Sequence, residues 1–488
     1  MADVVIGLDL GTGGVRAIAV NLQGQVVAQT TQTYPLLTPQ PGWTEQHPAD
    51  WVAASLNALT EVAGQIDGQN VLTLGLSGQM HGMVPLDEVG EVIRPAILWN
   101  DQRTGKAVEE IEAAVPRQEL IQHTGNPAIT GFQLPKLVWL RQEEPQAYEQ
   151  VRQILLPKDY LGYVLTGEAV TEPSDASGIG CLNLASRQWD TEILDALSLS
   201  AGLFPKVVES TAISGRLKPE LAERTGLPSK LPVVAGGGDN AAAAIGLGIS
   251  DRNLGRGSLS IGTSGVIFAP CDQPTPDPEG RVHLFCHADG GYILVGVTLA
   301  AGGALRWYRD TFAPETSFAN LMTLAEKSPP GARGVMFLPH LTGERSPFMD
   351  PDTRGAWVNL SLAHTQGDLI RAVLEGVAFS LRAALEVIQG IAPVNQLLAT
   401  GGGVRSPLWL HILADVLQTE LIAPKAEEGA AYGAAILAMV GVGVYPTLTA
   451  ALDVLPTGIE AVQPQEHSAY EAVFARYADL YEALKAVR

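Results

Sequence analysis

The sequence predicts an α/β fold made of two similar domains that face each other across a cleft. Three observations carry this. Apolar, β-branched runs alternate with stretches of helical periodicity along the chain. Two strand–turn–strand units, around GTGG (11–14) and GTSG (262–265), lie 251 residues apart in a chain of 488. Each half also holds a strand, three glycines and a helix in the same order, at 231–248 and 397–417. Matched units in matched order indicate duplication. The expected domains are residues 1–245 and 246–488.

Taken in order, Val4 to Leu10 is an apolar strand, GTGG turns the chain, and Val15 to Val20 returns as a second strand. Pro48 to Ile66 places apolar residues at helical spacing, with the proline suited to the first turn. Val71 to Leu76 reads as a strand that runs into the polar, glycine-flanked loop SGQMHG (77–82). Leu231 to Ala235 is a strand before GGG (236–238) and a helical run. Leu259 to Phe268 is the second hairpin, and Leu369 to Ile388 is the longest clear helical pattern. Leu397 to Thr400 leads through GGG (401–403) into the helical PLWLHILADVL (407–417). Residues 429–452 carry no charge and are long enough to cross a bilayer. Four glycines and Pro446 divide that stretch, so Ala430 to Val444 is expected to be a buried helix ended by Gly441 and Gly443.

Composition narrows the function. Hydrophobic residues make up 46%, too many for a disordered tail. The net charge of −21 opposes the positive footprint of a nucleic-acid binder. The 52 glycines, without a G-X-Y repeat, point to tight turns and close backbone approach to ligands. Cys181, Cys271 and Cys286 are odd in number and form no C-x-x-C pair, which fits neither a disulfide framework nor a zinc ribbon. A reducing cytoplasm is expected. The N-terminus has no basic segment ahead of an apolar run, so no secretory signal is expected.

Gly-Thr hairpins can offer successive backbone N–H groups and a hydroxyl to an anion. Two of them at equivalent places in a duplicated chain would hold one polyphosphate from both sides, with Arg16 near the first to neutralise charge. The chain has no G-x-x-x-x-G-K-[ST], no G-x-G-x-x-G at its first strand and no G-x-S-x-G. Asp9 ends the first strand just before the phosphate-like turn, where a hydrated Mg²⁺ would reconcile carboxylate and phosphate. Asp239, at a strand–helix junction with no other ionisable side chain in 231–250, reads either as a helix cap or as a general base. HLFCH (283–287) reads as strand, which sets its two histidines about 13 Å apart and argues against a zinc site. His81 sits in a loop fit to meet a polar ligand.

Together these segments resemble the FGGY carbohydrate kinases, and within them the xylulokinase branch. The likeness runs through DLGTGGVR (9–16), PGWTEQHPADW (41–51), SGQMHG (77–82), WNDQR (99–103), PKDYLGYVLTGE (157–168), SDASG (174–178), GGGDNAAAA (236–244), GTSG (262–265), LTGERSPF (341–348), RAVLEGVAF (371–379) and TGGGVRSPLW (400–409). The resemblance implies two actin-like (ribonuclease-H-like) ATPase domains around a central cleft, with sugar bound mainly by the first and ATP by the second. It implies ATP- and Mg²⁺-dependent phosphorylation of D-xylulose to D-xylulose 5-phosphate. Other ketoses or polyols, such as ribulose or ribitol, and an actin-like ATPase without sugar transfer are the alternatives. By motif position, Asp239 is similar to the catalytic base and Asp9 to the metal-holding carboxylate. Met80, His81, Asp239 and Asn240 match sugar-contacting positions. Thr12, Gly13, Arg16, Gly262, Thr263, Gly302, Arg306, Gly402 and Ser406 match nucleotide positions. The first turn departs from the family pattern: Gly13 lacks a serine hydroxyl and Arg16 stands for lysine. No membrane or nucleic-acid partner is implied, and a homodimer is left open.

Overall fold

The computed structural model describes residues 3–424, 429–453, 459–465 and 468–485. The elements that build the two sheets and flank the cleft are, in chain order, β1 (Val4–Leu10), β2 (Gly14–Asn21), β3 (Val26–Thr33), α1 (Pro48–Gln65), β4 (Val71–Gly78), β5 (Ile213–Arg216), β6 (Pro232–Gly238) and α2 (Asp239–Gly246). The second set is β7 (Gly255–Ile261), β8 (Gly265–Cys271), β9 (His283–Cys286), β10 (Tyr292–Thr298), α3 (Gly302–Phe312), α4 (Gln366–Gln389), β11 (Val394–Thr400), α5 (Pro407–Leu417), β12 (Glu420–Pro424), α6 (Gly429–Gly441) and β13 (Ile459–Val462).

The first sheet has the order β5-β6-β4-β1-β2-β3, and the second β9-β10-β8-β7-β11-β12-β13. In each, an antiparallel meander (β1-β2-β3, β7-β8-β10) continues into two strands parallel to its first member (β4 and β6, β11 and β12). The duplicated α/β architecture is therefore present, and the two Gly-Thr hairpins are equivalent. The two GGG segments are not. β11 is the neighbour of β7 as β4 is of β1, so GGG (401–403) corresponds to the SGQMHG loop. The glycines 236–238 lie in β6, one strand further out. Glycine gathers wherever strand ends converge on a cleft, and local composition cannot tell which strand carries it.

Helix positions follow from their apolar faces. α1 buries Trp51, Ser55, Leu59 and Val62 at three- and four-residue steps. α4 starts at a capping box between Thr365 and Asp368 and buries most of its length. α6 buries Ala430 through Met439 and ends at Gly441, as its glycines predict. Among the described residues no helix is long and apolar enough to cross a membrane.

The two strand-following helices cross between the sheets. α6, from the second half, packs with Val5, Ile18 and Val234 of the first sheet. Ala244 of α2, from the first half, packs with Phe268, Leu398 and Ile422 of the second. The helices touch each other along glycine. A Cβ on Gly7 would lie 1.8 Å from the Ala431 carbonyl oxygen, so α6 lies directly on β1. The helix that starts with Asp239 is thus wedged between the domains.

Candidate active site

The parallel strands of the first sheet end in register. Leu10 pairs with Gly78 and Gly78 with Gly238. The Gly11–Gly14 turn, the Gln79–His81 loop and Asp239 therefore leave the sheet side by side, the usual place for ligands in such sheets. In the second sheet Ser260 pairs with Thr400, which brings GTSG next to GGG (401–403). A cavity of about 230 Å³ lies between the two edges. Thr12, Met80, His81, Asp239 and Asn240 line its first-domain side, and Ser264, Val266, Phe268, Phe285, Val295 and Arg345 its second-domain side.

The loop carrying His81 is held in an uncommon conformation. His81 has φ of 66°, in the left-handed region that is costly for a non-glycine residue. Buried Lys136, in the helix Gln133–Glu143, donates to the His81 carbonyl at 2.7 Å and to the Gly131 carbonyl at 2.6 Å. Burial pulls its ammonium down to about 7. The imidazole stacks on Phe132 at 4.7 Å. Its Nδ1 lies 2.7 Å from the Gly178 carbonyl, which can only accept, so Nδ1 carries the proton and Nε2 keeps a lone pair. Burial lowers the imidazole to about 3, which keeps it neutral. His81 is thus an acceptor suited to a hydroxyl. Asn240 donates to the Met80 sulfur at 3.7 Å, joining two of the expected sugar contacts.

Asp239 is the first residue of α2, with Gly238 at the cap position. Its Oδ1 accepts from its neighbour Asn240 N–H at 2.8 Å, and it does not cap the helix further along. Ser174 Oγ accepts from Gly238 N–H at 3.2 Å and donates to Glu172 at 2.9 Å, which pins the backbone before Asp239. Desolvation, then the negative charge of Asp9, push the Asp239 carboxyl up to about 7. Asp9 itself is raised to about 6, burial outweighing the Ser77 hydroxyl and the Arg16 charge. Its Oδ1 is buried without a partner among the described residues. An orphaned carboxylate oxygen that raises a second carboxyl nearby fits a cation.

The expected nucleotide residues divide into groups. Gly262, Thr263 and Gly302 meet: Gly302 N–H donates to the Gly262 carbonyl at 2.8 Å, and Gly303 N–H to Thr263 at 3.0 Å. A Cβ on Gly302 would come within 2.4 Å of the Gly262 oxygen, so the start of α3 lies directly on the hairpin. Arg306 is exposed one turn further along α3. Gly402 has open space around it at the end of β11. Ser406 caps α5 through the Trp409 N–H. Gly13 is exposed with open space where a side chain would stand. Thr12 faces the first-domain wall, its hydroxyl donating to Gln79 at 3.1 Å and accepting from Trp99 Nε1 at 2.9 Å. Arg16 donates to Gln29 at 2.8 Å and lies beside Gly429 of α6.

Sequence reasoning assigned no role to several cavity residues, although their motifs were visible: Trp99 of WNDQR, Ser174 of SDASG and Arg345 of LTGERSPF. Phe132 and Lys136 carried no local signal. HLFC (283–286) is strand, as expected, and His287 follows its end. His283 pairs through Nδ1 with Asn126 and His287 through Nε2 with the Ile249 carbonyl, and these side chains form no metal-holding group among the described residues. The three cysteines are buried and unpaired with one another.

Residues 4–246 match the N-terminal domain of the FGGY family of carbohydrate kinases, and 257–442 its C-terminal domain. The chain is similar to xylulose kinase of Escherichia coli K12, with 40% identity over 98% of this chain and 99% of that one. It is 38% identical to xylulose kinase of Bacillus subtilis 168 over 99% of this chain and 97% of that one. The crystal structure of a xyloylose kinase from Brucella ovis superposes with a TM-score of 0.92 at 37% identity, covering 99% of both chains.

Proposed function

The chain belongs to the FGGY family of carbohydrate kinases, and from that premise we propose that it transfers the γ-phosphoryl group of ATP to the terminal hydroxyl of D-xylulose, giving D-xylulose 5-phosphate and ADP. One observation carries the reading: a carboxyl pushed up to about 7, Asp239, shares a cavity wall with the neutral acceptor His81 beside the first Gly-Thr hairpin. A base whose pKa lies near the working pH is both free to take a proton and basic enough to do so.

In this reading Asp239 removes the proton of the carbon-5 hydroxyl as that oxygen attacks the γ-phosphorus, and ADP departs from the opposite side. Phosphoryl transfer depends mostly on alignment and charge stabilisation. His81 Nε2 and Asn240 hold sugar hydroxyls, while Met80 packs beside them. Thr263 offers its hydroxyl and Gly402 an open backbone to the nucleotide, Gly262 and Gly302 hold the hairpin against the start of α3, and Arg306 lies one turn further along that helix. Asp9 would hold Mg²⁺, which when bound would neutralise phosphate charge. Residues 1–245 supply most of the sugar side and 246–488 most of the nucleotide side, with α6 returning to brace the first sheet. A cytoplasmic enzyme is consistent with three unpaired cysteines.

A coupled assay of ADP release across ketoses, aldonates and polyols tests this. D-Xylulose should give the highest kcat/KM, and Asp239→Asn should lower turnover on it by about 10²–10⁴-fold. ATP hydrolysis that ignores the sugar, or a preferred acceptor other than D-xylulose, would overturn the substrate assignment.

A further inference from the structure

Arg345 stands in the sugar cavity but comes from the second domain. It lies in the segment after β10 and before α4, and that segment is firmly anchored. The buried Glu344 carboxylate accepts from Leu299 N–H at 2.8 Å, from Arg345 N–H at 2.8 Å and from Ser380 Oγ at 3.1 Å. Ser346 N–H donates to the Val297 carbonyl at 2.8 Å, tying the segment to the end of β10. With Glu344 committed to these donors, the Arg345 guanidinium has no ion pair and no hydrogen bond among the described residues. Val266, Phe268, Phe285, Val295 and Val297 form most of its side of the cavity, with Ser264 and His283 as polar groups among them.

A guanidinium remains charged at any ordinary pH and presents five donors. Half-buried on a largely apolar wall and with no side-chain partner among the described residues, it is free to donate to the oxygens of a molecule in the cavity. The charge is felt at His81 and His283, the two histidines on the cavity wall. His283 gives Nδ1 to Asn126 Oδ1 at 2.8 Å, because the Asn126 amide nitrogen is used in donating to the Thr124 and Leu284 carbonyls. Its Nε2 is left as a buried acceptor without a partner. Neither histidine ring is hydrogen-bonded to the guanidinium among the described residues.

We propose that Arg345 is a sugar-binding residue contributed by the second domain, donating to carbonyl or hydroxyl oxygens of the acceptor on the face opposite His81. This rests on the reading of the cavity as the sugar site. It makes that site bipartite: the first domain supplies the base and the acceptor histidine, and the second closes it with a donor. Sugar occupancy and the relative position of the domains are then linked through one side chain.

The test measures sugar binding and turnover separately for Arg345→Gln and Arg345→Lys. Isothermal titration with D-xylulose in the absence of nucleotide should show affinity falling about tenfold to a hundredfold in Arg345→Gln, the size of a lost charged hydrogen bond. KM for sugar should rise by the same factor, and KM for ATP should change less than about twofold. Arg345→Lys should recover part of the loss, since it keeps the charge but not the planar fork. Unchanged ADP affinity and thermal unfolding serve as the check on folding. Sugar affinity equal to wild type in Arg345→Gln, or a loss confined to kcat, overturns the proposal while leaving the kinase reading intact. Should wild-type protein prefer another acceptor, the same titration is made with that sugar; should it bind no sugar at all, the kinase reading falls first.

Discussion

A Cβ atom on Gly433 would lie 1.7 Å from the carbonyl oxygen of Ala242. The two helices that cross between the domains therefore touch backbone to backbone, and the helix bearing Asp239 is seated against α6. Replacing Gly433 with alanine forces α6 away from α2. Overpacking of this kind costs about 1–3 kcal/mol. Chemical denaturation should show the loss, and kcat should fall because Asp239 rides on the displaced helix. Gly13→Ser is the contrasting case: nothing stands within 4 Å of its Cβ position, so stability should be unchanged.

Asp239 gives a pH signature with a definite sign. Its carboxyl titrates at about 7 in the folded chain against an ordinary 3.8. It retains a proton that the unfolded chain has released. The stability from that proton is complete below about pH 3.8 and is lost as pH rises through 7. Asp239→Asn should therefore melt at a higher temperature than wild type at pH 8, with the difference shrinking toward pH 4. Its kcat should drop about 10²–10⁴-fold. In wild type, kcat/KM should decline below about pH 7. Turnover of Asp239→Asn near the wild-type rate would remove Asp239 as the base.

His81 should show no such limb. Burial holds its imidazole at about 3, so sugar binding should not change with its titration between pH 5 and 8. His81→Phe preserves a ring to stack on Phe132 but removes the Nε2 acceptor. Sugar KM should rise about tenfold to a hundredfold with KM for ATP little changed. A sugar KM that stays at the wild-type value would exclude Nε2 as a contact.

In the proposed mechanism Asp9 would couple the metal and the base. Asp9→Asn removes the carboxylate expected to hold Mg²⁺, so the Mg²⁺ concentration needed for half-maximal rate should rise. It also removes the second cause of the raised Asp239 carboxyl, so the acidic limb should move to lower pH. Rate measurements against Mg²⁺ at several pH values read both effects. An unchanged Mg²⁺ requirement would place the cation elsewhere.

Gly302→Ala probes the nucleotide side alone. Its Cβ would strike the Gly262 carbonyl at 2.4 Å and separate α3 from the second hairpin. KM for ATP should rise several-fold while sugar affinity in the absence of nucleotide stays the same. Equal changes for both substrates would mean that the hairpin and the sugar cavity move together.

Much of this site was legible in the chain because its parts are short and local. A hairpin such as GTGG or GTSG announces itself through glycine and threonine alone, and a carboxylate at a strand end can be read from the run before it. Duplication was visible in the same hairpins. The match of the two GGG segments failed because equivalence is a property of strand order, and strand order is set by pairings between distant residues such as Leu10 with Gly78 and Ser260 with Thr400.

By itself, then, the sequence determined the α/β class, the paired hairpins, the buried nature of α6 and the identity of Asp9, His81 and Asp239 as the residues with chemistry to offer. Only the tertiary structure decided which of these share a cavity and in what electrical state. Desolvation and charge–charge coupling depend on neighbours remote in the chain: Asp9 acts on Asp239 across 230 positions, and Gly178 fixes the tautomer of His81. Arg345 shows the same limit, since only folding brings its guanidinium from the second half of the chain into the cavity shared with His81 and His283.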